Sequence, residues 1–236
     1  MALAPLVVIA TRRLTPGLVS MQGASPRFRS IRHATGWDAS PELAQRDVQG
    51  VMTTPEYRAG ARVLAKMGLT LDNSLYHPQL EELAALARAV PELTIVLNHI
   101  GGLVRVGPYA NRDSEVLANW RRGIAAVAAC PNVVLKLGGV GQKRFRIDWP
   151  LREKPIGTEK VAETLAPLMH YCIEQFGPDR CMFESNFPVD KVSYGYTVVF
   201  NVFKRLSKGY SASERAALFH DTAARVYGIE QQLPAV

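Results

Sequence analysis

Short apolar runs alternate with amphipathic stretches along this chain, and that alternation limits its fold more than any other feature. Strand-like runs fall at residues 6–10, 28–34, 69–75, 93–99, 133–137 and 181–184. Several are apolar almost throughout, as strands are when a parallel sheet is covered on both faces. Helix-like stretches lie between them at 54–67, 79–90, 114–129, 158–176 and 211–227. The first has Pro55 in its opening turn and Gly68 just past its end, the start and stop chemistry that helices favour. Strand–helix alternation of this regularity predicts βαβ units and a parallel sheet. A length of 236 residues suits one such domain over the whole chain.

The joins are unequal. Helix-to-strand connections are terse, whereas the strand-to-helix loops at 101–113 and 138–157 are long and rich in glycine, proline and charge. Parallel α/β folds carry their sites on the loops at the C-terminal strand ends, so one working face is expected.

Composition narrows the function classes. The net charge of +7 is dispersed among short groups, such as Arg121-Arg122 and the 143–146 stretch, with acidic residues interspersed. A scattered excess fits solubility or attraction of a small anionic substrate better than a nucleic-acid-binding stripe. No run reaches the roughly 18 apolar residues of a membrane span. The apolar start lacks a basic leader and reads as a buried strand rather than a signal peptide. Three cysteines without CxxC spacing argue against a disulfide framework and fit a reducing cytoplasm. The Gly138-Gly139-Val140-Gly141 run lacks the following helix that a dinucleotide site needs.

Three of the five histidines, His33, His77 and His99, stand where a strand ends. A neutral imidazole there can bind a metal, accept a proton from water or donate to a carbonyl. Gly101-Gly102 follows His99 and permits close approach of a ligand. His170 and His220 lie inside helical stretches and are assigned structural roles. Beyond the last strand, Glu184-Ser185-Asn186 places a carboxylate and an amide where core residues are poor choices. Glu184 can orient a histidine or act as base, and Asn186 can donate to an oxyanion; the alternative is that both cap the next helix. Lys136 is a charge inside an apolar strand. It either enters the barrel mouth to meet an anionic substrate or Glu184, or its stem snorkels outward.

Four segments in order, residues 25–33 (SPRFRSIRH), 95–101 (IVLNHIG), 132–139 (NVVLKLGG) and 180–191 (RCMFESNFPVDK), resemble the later strands of the amidohydrolase-related family of metal-dependent barrel hydrolases. The branch is similar to sugar-lactone and pyrone-dicarboxylate lactonases. The resemblance implies a (β/α)₈ barrel and hydrolysis of a lactone, amide or related carbonyl bond by activated water. By position it matches His99 to a strand-end histidine that contacts metal or substrate, Arg32-His33 to a substrate-side pair, and Asn186 to an aspartate that binds metal or serves as base; Glu184 and Asp190 stand near that aspartate but not in its place. With the reading of the residues, His99, His33, Glu184 and Asn186 are expected in catalysis, and Arg32, His77, Lys136 and Asp190 in substrate binding. His99 is the sole metal ligand expected should a divalent ion such as zinc bind; a metal-free route is the alternative. Two departures stand out. Asn186 replaces an aspartate, and an amide cannot take up a proton from water. No His-x-His pair is present. Counting from the matches, residues 28–34 are the fourth strand and 181–184 the eighth, so the barrel is expected to lack its first two βα units. Open sheet edges would follow, and with them a shortened chain or pairing with a second copy. A non-catalytic barrel that binds a ligand or a protein partner is the rival reading.

Overall fold

Five of the six expected strands form in the computed structural model, which describes residues 11–229 except 26, 46, 147–148 and 152. They are β1 (Ser30–Ala34), β2 (Thr70–Ser74), β3 (Ile95–Leu97), β4 (Val133–Leu137) and β5 (Cys181–Phe183). The run at 6–10 lies outside the described residues. Every neighbouring pair is parallel and the spatial order follows the chain, β1-β2-β3-β4-β5. Sequential parallel winding with helical crossovers is how a (β/α)₈ barrel is built, and these strands form an arc of one.

Helices at Pro55–Lys66, Leu80–Ala89, Asp113–Ala128 and Thr158–Phe176 occupy the expected places. The first begins where the Thr54 hydroxyl accepts the Tyr57 amide at 3.2 Å. Two further helices, Thr11–Ala24 and Tyr196–Leu206, are not among those expected. The second is rich in β-branched and aromatic residues, yet it buries Val199, Val202, Phe203 and Leu206, a helical spacing. The C-terminal stretch is also less regular than its pattern. A Ser211–Glu214 capping box starts Ala212–Ala216, a π-helical segment follows at Ala217–Asp221, and Thr222–Tyr227 completes it.

The two faces of the sheet differ in kind. Ile31, Leu71, Ile95, Leu97, Val133, Leu135 and Cys181 point outward and pack with the helices in the main core. Val96, Val134 and Met182 point inward and meet Ala223, Val226 and Tyr227 of the C-terminal helix. That helix therefore covers the inner face of the arc. The two ends of the strands differ as well. At the N-terminal end, Asn132 donates to the carbonyls of Ala87, Val90 and Leu93, and Arg180 to those of Phe176, Cys130 and Ala128. These side chains satisfy helix C-termini and account for the terse joins.

Candidate functional site

Beyond β3 the backbone turns left-handed at four successive residues. His99, Ile100, Gly101 and Gly102 have φ of 57°, 46°, 74° and 60°. For Ile100, a β-branched residue, this is a strained conformation. The Trp120 indole holds it by donating to the Ile100 carbonyl at 2.7 Å. Gly102 is required, because a side chain there would stand 1.8 Å from the Leu75 carbonyl oxygen. The turn carries the His99 ring back over the strand ends. Gly139 lies beneath it, where a Cβ would come within 2.1 Å of Nδ1. The double glycine after β4 thus makes room for an imidazole rather than a phosphate.

His99 is held from both sides. Nδ1 lies 2.5 Å from Glu184 Oε1, and the His99 amide donates to the same oxygen at 3.2 Å. On the far side, Arg32 Nη2 is 3.0 Å from Nε2. A guanidinium can only donate, so Nε2 is the acceptor and the ring proton sits on Nδ1, shared with Glu184. The pair is sheltered, with side chains 4% and 16% exposed. Burial pushes the Glu184 carboxyl upward, but the His99 ring, its hydrogen bonds and the Lys136 charge outweigh burial and hold it below its ordinary value. A carboxylate orienting an imidazole whose other nitrogen meets a guanidinium is an arrangement that can pass a proton.

Lys136 takes the inward course, but its anion belongs to the protein. Nζ lies 2.6 Å from Asp72 Oδ2 in a pair whose side chains are 16% and 4% exposed. Asp72 also accepts from Ser30 Oγ at 2.7 Å and from the Tyr227 hydroxyl at 2.8 Å, and the Lys136 ammonium lies over the Tyr227 ring. The lysine charge is therefore matched internally. Sequence reasoning missed Asp72, although it carries the same signal as Lys136, a charge in the middle of a buried strand.

The turn after β5 is organised by Asp190, which is fully buried. Its carboxylate accepts from Asn186 Nδ2 at 2.7 Å, the Gly141 amide at 3.0 Å and the Tyr194 hydroxyl at 2.7 Å. Asp190 was expected to touch substrate; its oxygens are instead spent on bracing the loops after β4 and β5. Asn186, with φ of 51°, gives its amide protons to that brace.

The expected Arg32-His33 pair is parted. Consecutive residues of a strand face opposite sides, and β1 sends Arg32 to His99 while His33 turns toward the helices, Nδ1 3.2 Å from the Tyr57 hydroxyl. His77 is buried elsewhere. Its ring stands edge-on to Tyr109, Nδ1 accepts the Val104 amide at 3.4 Å, and burial pushes its pKa down to about 4 despite Asp38. Of the three strand-end histidines, His99 alone joins Glu184. His170 meets the Leu206 carbonyl, and His220 lies exposed beside Asp221.

A metal fits these residues poorly. Among the described residues, no group of three or more His, Cys, Asp or Glu side chains is placed to hold one. The Nε2 lone pair of His99 faces a guanidinium, and Asn186 supplies an amide where a carboxylate would bind better. No described helix is long and apolar enough to cross a membrane.

Comparison with known proteins agrees with this fold. An uncharacterized protein of Sinorhizobium fredii, y4mH, is 37% identical over 202 residues, 86% of this chain and 61% of its own length. L-fucono-1,5-lactonase of Burkholderia multivorans is 28% identical over 210 residues, 89% of this chain and 66% of the lactonase. The chain thus spans slightly under two thirds of each of these curated relatives. A zinc-bound crystal structure of a Burkholderia multivorans amidohydrolase superposes with a TM-score of 0.67 at 26% identity, covering 93% of this chain and 80% of that one. The sequence model described as amidohydrolase matches residues 20–229, and the chain belongs to that family.

Proposed function

We propose that the protein is a hydrolase that opens a lactone or a related carbonyl-centred bond, with His99 as the proton carrier. The observation that carries this reading is the His99 ring, held at Nδ1 by Glu184 and facing Arg32 at Nε2. In the resting protein Arg32 occupies the Nε2 lone pair. A substrate carbonyl draws that guanidinium away, because developing negative charge on oxygen is a stronger acceptor than imidazole. Nε2 is then free to take a proton from water as the water oxygen attacks the carbonyl carbon. Glu184 stabilises the resulting imidazolium through the Nδ1 proton, and Arg32 donates to the oxyanion. Collapse of the tetrahedral intermediate breaks the ring C–O bond, and the Nε2 proton passes to the leaving oxygen, giving a hydroxy acid and restoring neutral His99.

Asp190, Asn186 and Gly139 are positioning residues in this scheme. The first two brace the loop beside Glu184, and the glycine leaves space for the ring. The metal dependence common in the family is not used in any step, since the residues described do not offer a ligand set. The lactonase among the relatives supports a sugar-lactone-like substrate.

Steady-state hydrolysis of a lactone panel by the wild type, His99→Asn and Glu184→Gln tests the proposal. The expected result is turnover by the wild type and a loss of about 100-fold or more in His99→Asn. Absence of wild-type turnover across the panel, or full kcat in His99→Asn, refutes it and leaves a ligand-binding role.

A further inference from the structure

The turn that carries His99 is held by a side chain from outside the barrel. His99, Ile100, Gly101 and Gly102 are left-handed in succession, a winding that L-residues avoid because Cβ crowds the following carbonyl. The two glycines escape that cost, but His99 and Ile100 do not. Other contacts must therefore stabilise the turn against unwinding. Its entry is fixed, since Asn98 donates to the Asn73 carbonyl through its amide at 2.9 Å and through Nδ2 at 3.1 Å.

The exit shows how the middle is held. In a continuing helix the Val104 amide would return to the Ile100 carbonyl, four residues back. Here it donates to His77 Nδ1 at 3.4 Å instead. Burial pushes the His77 pKa down to about 4, so at neutral pH the ring is uncharged and Nδ1 stays an acceptor. The Ile100 carbonyl, in a fully buried residue, takes the indole N–H of Trp120 at 2.7 Å in place of the diverted amide. Trp120 is itself fully buried in the helix Asp113–Ala128, with its ring 5.5 Å from that of Tyr171 in the helix Thr158–Phe176. The donor thus comes from the helix layer, whereas Glu184 and Arg32 hold the imidazole itself.

We infer that Trp120 is a positioning residue for His99: its indole N–H holds the left-handed turn and so keeps Nδ1 on Glu184 and Nε2 toward Arg32. Without that N–H the buried Ile100 carbonyl loses its donor, and it recovers one by unwinding toward the Val104 amide. Unwinding lifts the imidazole from its place over Gly139, where the fit is too close for a Cβ. The ring then leaves Glu184, and the tautomer that this carboxylate fixes is lost. The structural consequence stands alone; only the kinetic one rests on the proposed hydrolase reading.

Proton–nitrogen correlation spectra of the histidine rings in the full chain test the inference, with the His99 signals assigned by their loss in His99→Asn. The wild type should show His99 protonated at Nδ1. Replacing Trp120 by β-benzothienylalanine sets sulfur in place of the N–H and keeps the size of the ring. That variant should show a mixture of Nδ1–H and Nε2–H forms at His99, with the His170 and His220 signals unmoved. On a lactone that the wild type hydrolyses, its kcat should fall at least about tenfold with KM within about twofold, because a displaced proton carrier costs rate rather than binding. Trp120→Phe removes the same donor and should move the same signals; it decides if near-UV circular dichroism shows the first variant unfolded. His99 protonated at Nε2 in the wild type, or a wild-type His99 pattern in a folded variant, overturns the inference whatever kcat does. A shifted His99 tautomer with no lactone turnover by the wild type would sink the hydrolase reading alone.

Discussion

Two carboxylates six residues apart, Glu184 and Asp190, are placed in the same strand-to-helix connection and used in opposite ways. Glu184 faces groups that carry or exchange protons, His99 and Lys136, and keeps 16% of its side chain exposed. Asp190 faces neutral donors, an amide side chain, a backbone amide and a hydroxyl, and is fully buried. A carboxylate beside a titratable partner can respond to a proton arriving there. One satisfied by neutral donors can only hold them in place. Asp72 is a third case, since its charge is cancelled by Lys136 and its remaining capacity is taken by Ser30 and Tyr227. Negative charge near a strand end is therefore insufficient to mark a reacting group; the nature of its partners decides.

The contrast can be broken by substitution. The largest effect is expected on activity at the Glu184 side, where Glu184→Gln and His99→Asn should each lower kcat by about 100-fold or more in steady-state assays. Their thermal midpoints should move little compared with variants of the other two clusters. Next comes Lys136→Met, which leaves Asp72 buried without its cation and should cost roughly 3 kcal/mol or more in denaturant titration. Adding Asp72→Leu to that variant should recover part of the loss, whereas simple additivity would show that the pair is not coupled. Asp190→Ala should be smaller, about 2 kcal/mol, by stranding buried donors on Asn186, Gly141 and Tyr194. Full stability in Asp190→Ala combined with lost kcat would reverse the roles assigned to the two carboxylates.

The smallest effect is a pH dependence. Glu184 is held below its ordinary value of 4.5, so the folded state favours its ionised form more than the unfolded chain does. Its contribution to stability is fully present above about 4.5 and is lost as pH falls through the lower folded value. The difference in thermal midpoint between wild type and Glu184→Gln should therefore shrink on acidification below that point. A constant difference from pH 7 to pH 3 would show that the His99 contact does not stabilise the carboxylate.

Much of this was legible from residue order. Each of the five strands lies within its predicted run, because apolar runs bounded by Gly and Pro have few other uses. The helix at Tyr196–Leu206 escaped because Val, Thr, Tyr and Phe are strand-favouring residues, and burial along one helical face overrode that preference. His99 and Glu184 were both singled out, and Glu184 was read as able to orient a histidine, but which histidine it meets was not legible, since 85 residues separate the two. Arg144 was visible only as part of a basic stretch. That its Nε and Nη2 are buried without hydrogen-bond partners is a property of its surroundings.

The chain's own pattern settled the parallel α/β class and the arc of consecutive strands, because strand and helix periods are local properties read over a few residues. Tertiary structure decided the rest. It parted Arg32 from His33, since neighbours on a strand must face opposite sides and only packing chooses which side is inner. It set the proton of His99 on Nδ1 by placing a guanidinium against Nε2, gave Lys136 to Asp72, and left Nε and Nη2 of Arg144 without hydrogen-bond partners. Those outcomes depend on which distant groups meet in a medium of low polarity, where a matched charge is held and an unmatched one is costly.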